Sequence, residues 1–300
     1  MPSRRATLLP NLITLGNAFC GLLALSKGID ALTLSADDPL VFYKKMESAC
    51  FLVFLGMVFD GLDGLVARVT GGSSAFGAQL DSFSDALTFG AVPALLAKIL
   101  IEHETPPSTG NARLHFLAAA AFALCAILRL VRYNLEPEPP GDAGERGERD
   151  DIKTFRGLPS PAAAGAVAAT IWLYLILRRP ELESEDGTPT WLHRLLAFMR
   201  HVNWEPLLDW VPALLVGMLP VVGLLMVSNL RYVHGLSYLL SRGAQFVTLV
   251  VFVFSLILFY LAPVPILFLC FLCFAASGVL LRPLEWLRTR RGAAPGMSPR

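Results

Sequence analysis

The chain alternates long apolar runs with short polar connectors. Windows long enough to cross a bilayer as helices lie at about residues 8–26, 47–69, 79–101, 114–134, 160–178, 207–228, 244–262 and 264–282. The pattern therefore predicts about eight spans, the last two meeting at a seam from Ala262 to Pro265. A spanning segment must satisfy its backbone hydrogen bonds internally, and the period-2 alternation of barrel strands is absent, so the spans are expected to be helices. The expected fold is an all-α integral membrane protein, a polytopic bundle in a single domain over residues 1–300. Composition agrees: 54% of the residues are hydrophobic and 16% charged, against about a quarter charged in a soluble domain. The first run follows Arg4 and Arg5 without a convincing small-residue cleavage site, so it reads as a retained helix rather than a signal peptide.

Orientation follows from the basic residues. With the N-terminus in the cytosol, most of the 25 Lys and Arg residues fall in cytosolic segments, namely the N-terminus, 68–78, 129–159, 229–243 and the tail from Arg282. Both termini are expected inside. The loop from Arg178 to Trp210 runs against this bias, and its "WLHRLLAFMRHVNW" predicts a short amphipathic connector helix in the opposite interface. Residues 136–153 are polar, proline-rich and mixed in charge, which predicts a mobile cytosolic loop. All five cysteines lie in or beside apolar runs, so they read as packed or lipid-facing thiols, including the C-x-x-C of Cys270 and Cys273.

One stretch breaks the apolar pattern: "FDGLDGLVARVTGGSSAFGAQLDSFSD", residues 59–85. Asp60 and Asp63 are three apart, with Gly64 and Ala67 on the same helical face. Asp81 and Asp85 are four apart on the next helix, with Gly77 one turn earlier, and "VTGGSSAF" turns the chain between the two. Counting outward from Ser73 predicts two tiers, Asp63 facing Asp81 and Asp60 facing Asp85. At about 1.5 Å per residue the cluster lies roughly 12–18 Å from the turn, inside the cytosolic side of the membrane.

Even one isolated charge at the bilayer centre costs at least about 2.5–3.5 kcal/mol, so four carboxylates there require cations. Oxygen ligands without Cys or His select hard ions, Mg²⁺ or Mn²⁺. Four carboxylates suit two divalent ions about 3.5–4 Å apart, an arrangement that clamps the attacking and leaving oxygens of a phosphoryl displacement. Gly64 and Ala67 keep the wall low enough for a bulky ligand, and Arg68 near the water boundary can counter phosphate charge. The plainer readings are that the aspartates cap helices or pair with arginines, and that Arg68 is only an orientation signal. Four aspartates on two matching faces argue against the first.

These positions resemble the signature of the CDP-alcohol phosphatidyltransferase family. That pattern is D-x-x-D-G-x-x-A-R, eight residues, then G-x-x-x-D-x-x-x-D, here Asp60, Asp63, Gly64, Ala67, Arg68, Gly77, Asp81 and Asp85. The resemblance implies transfer of a phosphatidyl group from a CDP-linked lipid to an alcohol, with release of CMP. It implies that Asp60, Asp63 and Asp81, helped by Asp85, hold the metal pair and the diphosphate. Asp85 would be the general base, with Gly64, Ala67 and Gly77 bordering the cytidine nucleotide.

Further stretches are similar to the phosphatidylserine synthase branch: "LPNLITLGNAFCGLLAL" near the N-terminus, "LRLVRYN" at Leu128–Asn134 and "FRGLPSPAAAG" at Phe155–Gly165. "LMVSNLRY" at Leu225–Tyr232 continues the likeness, but "VHGLS" replaces the continuation that would carry a lysine. The catalytic core is expected over about 8–178, with additional helices over about 207–282. L-serine brings a carboxylate to the site, which calls for a fixed cation. Arg129, Arg132 and Arg156 are the candidates for its carboxylate or for the diphosphate, with Asn134 as a polar contact. Positive-inside placement alone would also put arginines there. Pro159 and Pro161 can open the fifth helix, whose "PAAAGAVAA" offers a small packing face.

The expected partners are thus CDP-diacylglycerol, L-serine and membrane lipids, with a homodimer implied by the resemblance and no nucleic acid. Glycerol 3-phosphate, inositol or choline remain alternative acceptors. A divalent-cation transporter is a different class of reading, but "ALTFGAVPALLAKIL" beyond Asp85 offers no polar path to the far side. The expected location is the cytoplasmic membrane, with the active site facing the cytosol. A topology reporter fused after Arg300 is expected to face the cytosol, and an exterior signal would overturn this orientation.

Overall fold

The computed structural model describes residues 4–34, 39–71, 74–106, 110–135, 154–178, 205–233 and 245–292. The expected connector helix at 191–204 and the loop at 136–153 lie outside them. Helices dominate: α1 (Arg4–Leu34), α2 (Pro39–Thr70), α3 (Ala75–Asp85), α4 (Val92–Glu104), α5 (Ala112–Leu135) and α6 (Ser160–Arg178). A short α7 (Glu205–Leu208), then α8 (Val211–Val227), α9 (Gln245–Leu261) and α10 (Pro263–Gly292) follow. Among the described residues, five segments are long and apolar enough to span a membrane: Leu8–Leu34, Leu40–Thr70, Ala75–Glu104, Ala112–Leu135 and Ser160–Arg178. The three later predicted runs fall on α8, α9 and α10, and Pro263 opens α10 at the expected seam. One departure from the all-α expectation occurs among the described residues. An antiparallel ribbon pairs β1 (Thr154–Arg156) with β2 (Arg231–Val233).

Local chemistry sets the turn before α3. Gly71 ends α2 in the left-handed region, at φ 63°, where glycine escapes the Cβ penalty. Ser74 then caps α3, its hydroxyl accepting from the Gly77 N–H at 3.0 Å. Between α3 and α4, Ala86–Ala91 forms a π-helical turn, closed by the Val92 N–H on the Leu87 carbonyl. Pro93 follows directly and cannot donate, and its ring crowds the preceding turn, which favours this widening.

The core lies where α1, α2, α4 and α6 meet, with α5 and α8 packed together on one flank. The small face of α6 is wholly buried from Ala162 to Ala169. Phe271 of α10 sits so close to Gly165 that an added Cβ would lie 2.5 Å from its ring. Two helix backbones also approach at Gly223, where a Cβ would meet Phe122 Cα at 3.2 Å. In lipid, where apolar burial does not drive helices together, such close packing is a main source of association.

At the ends of α2 and α4 remote from the aspartates, a partly buried polar knot joins three helices. Glu104 accepts from the Tyr43 hydroxyl at 3.2 Å and the Tyr174 hydroxyl at 2.7 Å. His103 Nδ1 lies 3.1 Å from the same carboxylate, and its ring stacks on Phe42 at 3.5 Å. Glu104→Ala would leave both tyrosine hydroxyls without this acceptor, each loss worth about 1–3 kcal/mol. The expected result is a lowered thermal unfolding midpoint in detergent, with a smaller drop for Tyr174→Phe. An unchanged midpoint for Glu104→Ala would remove the knot from the account of stability.

Candidate active site

The site forms where α1, α2 and α3 converge. Asp60 and Asp63 lie one turn apart on α2, and Asp81 meets them from α3. One carboxylate oxygen from each of the three lies within 4.8 Å of the others. Asp63 is 5% exposed, and the other two are half-buried. One oxygen of Asp63 and one of Asp81 are buried with no hydrogen-bond partner among the described residues. Like charges at this spacing repel, and orphaned buried oxygens carry a desolvation cost. An oxygen-only donor set with unpaired oxygens fits a hard divalent cation.

Asp85 lies outside this trio but has Asp60 as a direct side-chain neighbour and feels the charges of Asp63 and Asp81. Its Oδ1 accepts from Asn17 Nδ2 of α1 at 3.1 Å. The expected pairing of Asp60 with Asp85 is thus kept, while Asp60 also joins Asp63 and Asp81, and Asn17 reaches Asp85 from α1.

A cleft of about 160 Å³ opens beside the trio. Its walls are Gly64 and Ala67 from α2, Gly77 and Ala78 from α3, and Pro10, Asn11 and Thr14 from α1. A Cβ added at Gly64 would meet only Arg68 Nη2, at 3.9 Å, so the space there is open to a ligand. Gly77 has a second role: a Cβ there would come within 2.7 Å of Asn11 Oδ1, so glycine is what lets α3 close on α1. Arg68 is exposed and donates Nε to the Gly64 carbonyl at 3.0 Å.

The four polar candidates after α3 separate in space. Arg129 is an electrostatic neighbour of Asp85, and one of its Nη atoms donates to the buried Ser160 Oγ at 2.8 Å. Its Nε is buried without a hydrogen-bond partner among the described residues. Arg132 instead reaches α8 and the residues after it, donating to the Val227 carbonyl at 3.3 Å and to Asn229 Oδ1 at 2.8 Å. Asn134 donates to Ser82 Oγ at 3.0 Å. Arg156 is exposed at the end of β1.

A carboxylate trio beside a wall of small residues agrees with the family pattern, and the family's sequence profile, CDP-alcohol phosphatidyltransferase, matches residues 7–202. The chain belongs to the CDP-alcohol phosphatidyltransferase family. It is therefore an enzyme of a phosphotransferase family whose members use divalent metal ions. The CDP-diacylglycerol–serine O-phosphatidyltransferase of Bacillus subtilis (strain 168) is 31% identical over 166 residues, covering 55% of this chain and 76% of the relative. The protein of the same name from Helicobacter pylori (strain J99) is 28% identical over 235 residues, 77% of this chain and 74% of its own length. Archaetidylserine synthase of Methanothermobacter thermautotrophicus is 32% identical over 163 residues, 54% of this chain and 56% of the relative.

Sequence reasoning passed over the contribution of α1 to this phosphatidyltransferase site. Asn11, Thr14 and Asn17 recur every third residue in "NLITLGN", a polar stripe within the apolar first run of α1. That stripe was the available signal, and in the structure it lines the cleft and reaches Asp85. Mn²⁺ titration followed by electron paramagnetic resonance is expected to show binding that Asp63→Ala weakens at least about 10-fold, the lower end of the loss expected even for groups that only support a ligand. Equal affinity in the two proteins would remove the trio as the metal site.

Proposed function

We propose that this protein transfers the phosphatidyl group of CDP-diacylglycerol to L-serine, giving phosphatidylserine and CMP. The observation that carries this reading is the trio Asp60, Asp63 and Asp81 within 4.8 Å, with Asp85 beside it. Two divalent ions, Mg²⁺ or Mn²⁺, would be held by these aspartates, with Asp85 completing the set. When bound they supply charge neutralisation for the diphosphate and for the departing CMP.

The remaining roles belong to the chain's own residues. Gly64, Ala67 and Gly77 border the cytidine nucleotide, with Arg68 at the cytosolic rim to meet phosphate charge. Asp85 takes the proton of the acceptor hydroxyl as its oxygen attacks phosphorus. The reaction needs both a lipid and water-soluble partners, which a cleft sunk in the cytosolic half of the membrane accommodates.

The choice of serine rests on the names of the relatives and on the two loop segments around Arg129 and Ser160. Arg129 supports it physically, because a half-buried guanidinium near Asp85, with its Nε unpaired among the described residues, suits the carboxylate of an amino-acid acceptor. In this reading Arg132, Asn134 and Arg156 form a wider polar rim toward the acceptor or the diphosphate. Arg132 has the weaker claim, since its guanidinium already holds the end of α8.

The same reading places the protein in the cytoplasmic membrane with eight spans, a single catalytic domain, both termini in the cytosol and a homodimeric assembly. CMP release from CDP-diacylglycerol by purified protein with Mn²⁺ or Mg²⁺ tests it, comparing L-serine with glycerol 3-phosphate, inositol and choline. Release with serine alone is expected, abolished by chelation and reduced at least about 100-fold by Asp85→Asn, the lower end of general-base contributions. Release with another acceptor would overturn serine while keeping the metal site, and silence with every acceptor in folded protein would overturn the transferase reading.

A further inference from the structure

We infer that Asn17 of α1 is a positioning residue for Asp85, fixing which oxygen of that carboxylate faces the acceptor hydroxyl. The inference rests on the reading of Asp85 as the general base. Asn17 is fully buried, and its Nδ2 donates to Asp85 Oδ1 at 3.1 Å. Its own backbone carbonyl accepts from Thr88 Oγ1, also at 3.1 Å. Thr88 belongs to the π-helical turn that directly follows Asp85, and it is fully buried as well. The base and the turn that carries it are therefore both fastened to one residue of α1.

Two glycines make room for this clamp. A Cβ at Gly21 would lie 2.5 Å from Thr88 Oγ1, blocking the approach of Thr88 to α1. A Cβ at Gly56 of α2 would lie 2.7 Å from Thr88 Cγ2 and 3.0 Å from Asn17 Oδ1. Asn17 Oδ1 is itself buried without a hydrogen-bond partner among the described residues. Exchanging the amide oxygen and nitrogen would set an acceptor against the Asp85 carboxylate, so the donor must face Asp85 even though this orphans the oxygen. A buried acceptor left unpaired for one hydrogen bond needs an explanation beyond stability, since that orphan carries a cost of its own.

With Oδ1 taken by Asn17, the proton goes to Oδ2, in a carboxylate that also has Asp60 as a close neighbour. In the step, the acceptor oxygen forms its bond to phosphorus and the bond from phosphorus to the CMP oxygen breaks, its electron pair leaving with CMP. The hydroxyl proton passes to Oδ2 and then to solvent. A base free to rotate would lose this alignment, and misplacement on the order of 1 Å can cost about 100-fold in rate.

The test uses the full chain in detergent, CMP release with CDP-diacylglycerol and L-serine, and Mn²⁺ binding. Asn17→Leu, close in size but unable to donate, is expected to lower kcat about 10–100-fold. KM for CDP-diacylglycerol and Mn²⁺ affinity are expected to stay within about 2-fold, as for an interaction made in the transition state. Should Asn17→Leu fail to fold, Thr88→Val probes the same clamp: it should lower kcat in the same sense, with Thr88→Ser restoring it. A kcat unchanged in Asn17→Leu or Thr88→Val, or a fall in which KM and Mn²⁺ affinity worsen in proportion, overturns the positioning role. Asp85→Asn is measured alongside. Full activity there sinks the base assignment itself, whereas its loss beside an unaffected Asn17→Leu sinks only the role of Asn17.

Discussion

The repulsion among Asp60, Asp63 and Asp81 is the constraint on which the site depends. Three carboxylates whose oxygens lie within 4.8 Å of one another, partly withdrawn from water, are not a stable arrangement by themselves. Their geometry is imposed by the two helices that carry them and by the turn between, where Gly71 and Ser74 fix the exit and the entry. The buried, unpaired oxygens of Asp63 and Asp81 make the trio a place where a hard cation lowers the energy of the folded chain. An ion held there would relieve the tension between the carboxylates and the packing that holds them.

That packing depends on helix backbones coming unusually close. Glycine at 77 lets α3 close on Asn11, and glycines at 21 and 56 let the π-helical turn settle between α1 and α2. The turn is set by Pro93, which cannot continue the regular hydrogen-bond ladder and so widens the helix directly after Asp85. A feature that costs helix regularity therefore positions Thr88 toward α1. At the far end of the same helices, Glu104 with Tyr43 and Tyr174 joins α2, α4 and α6 about 25 Å from Asp60. The molecule is fastened at both ends, one knot serving rigidity and the other lying beside the aspartate trio.

The basic residues divide their labour by reach. Arg129 and Arg132 are three apart on α5, yet one turns toward Asp85 and Ser160 while the other ties α5 to the end of α8. The ribbon of β1 and β2 works with Arg132: the Gly157 N–H donates to the Leu230 carbonyl at 2.8 Å, and Tyr232 packs in the core with its hydroxyl on the Ala275 carbonyl. The later helices are therefore joined to the site end of the bundle through backbone contacts, even though they carry none of the aspartates.

Hydrophobic run lengths determined the helical membrane class, and the spacing of Asp60, Asp63, Asp81 and Asp85 determined that two helices would share an acidic, small-sided face. Both follow from one-dimensional periodicity, because helix geometry fixes which residues share a side. The same rule made the Asn11, Thr14 and Asn17 stripe visible, but not its target, since the register of α1 against α3 depends on contacts made far apart in the chain. Equal spacing likewise could not separate Arg129 from Arg132, whose partners, Ser160 and Asn229, lie on segments that only folding brings near. The two-tier estimate for the aspartates assumed straight helices meeting evenly about Ser73. The tertiary structure keeps Asp60 beside Asp85 but also draws it in to Asp63 and Asp81 and brings Asn17 of α1 to Asp85, because helix crossing and the widened turn, rather than distance along the chain, decide where a carboxylate comes to rest.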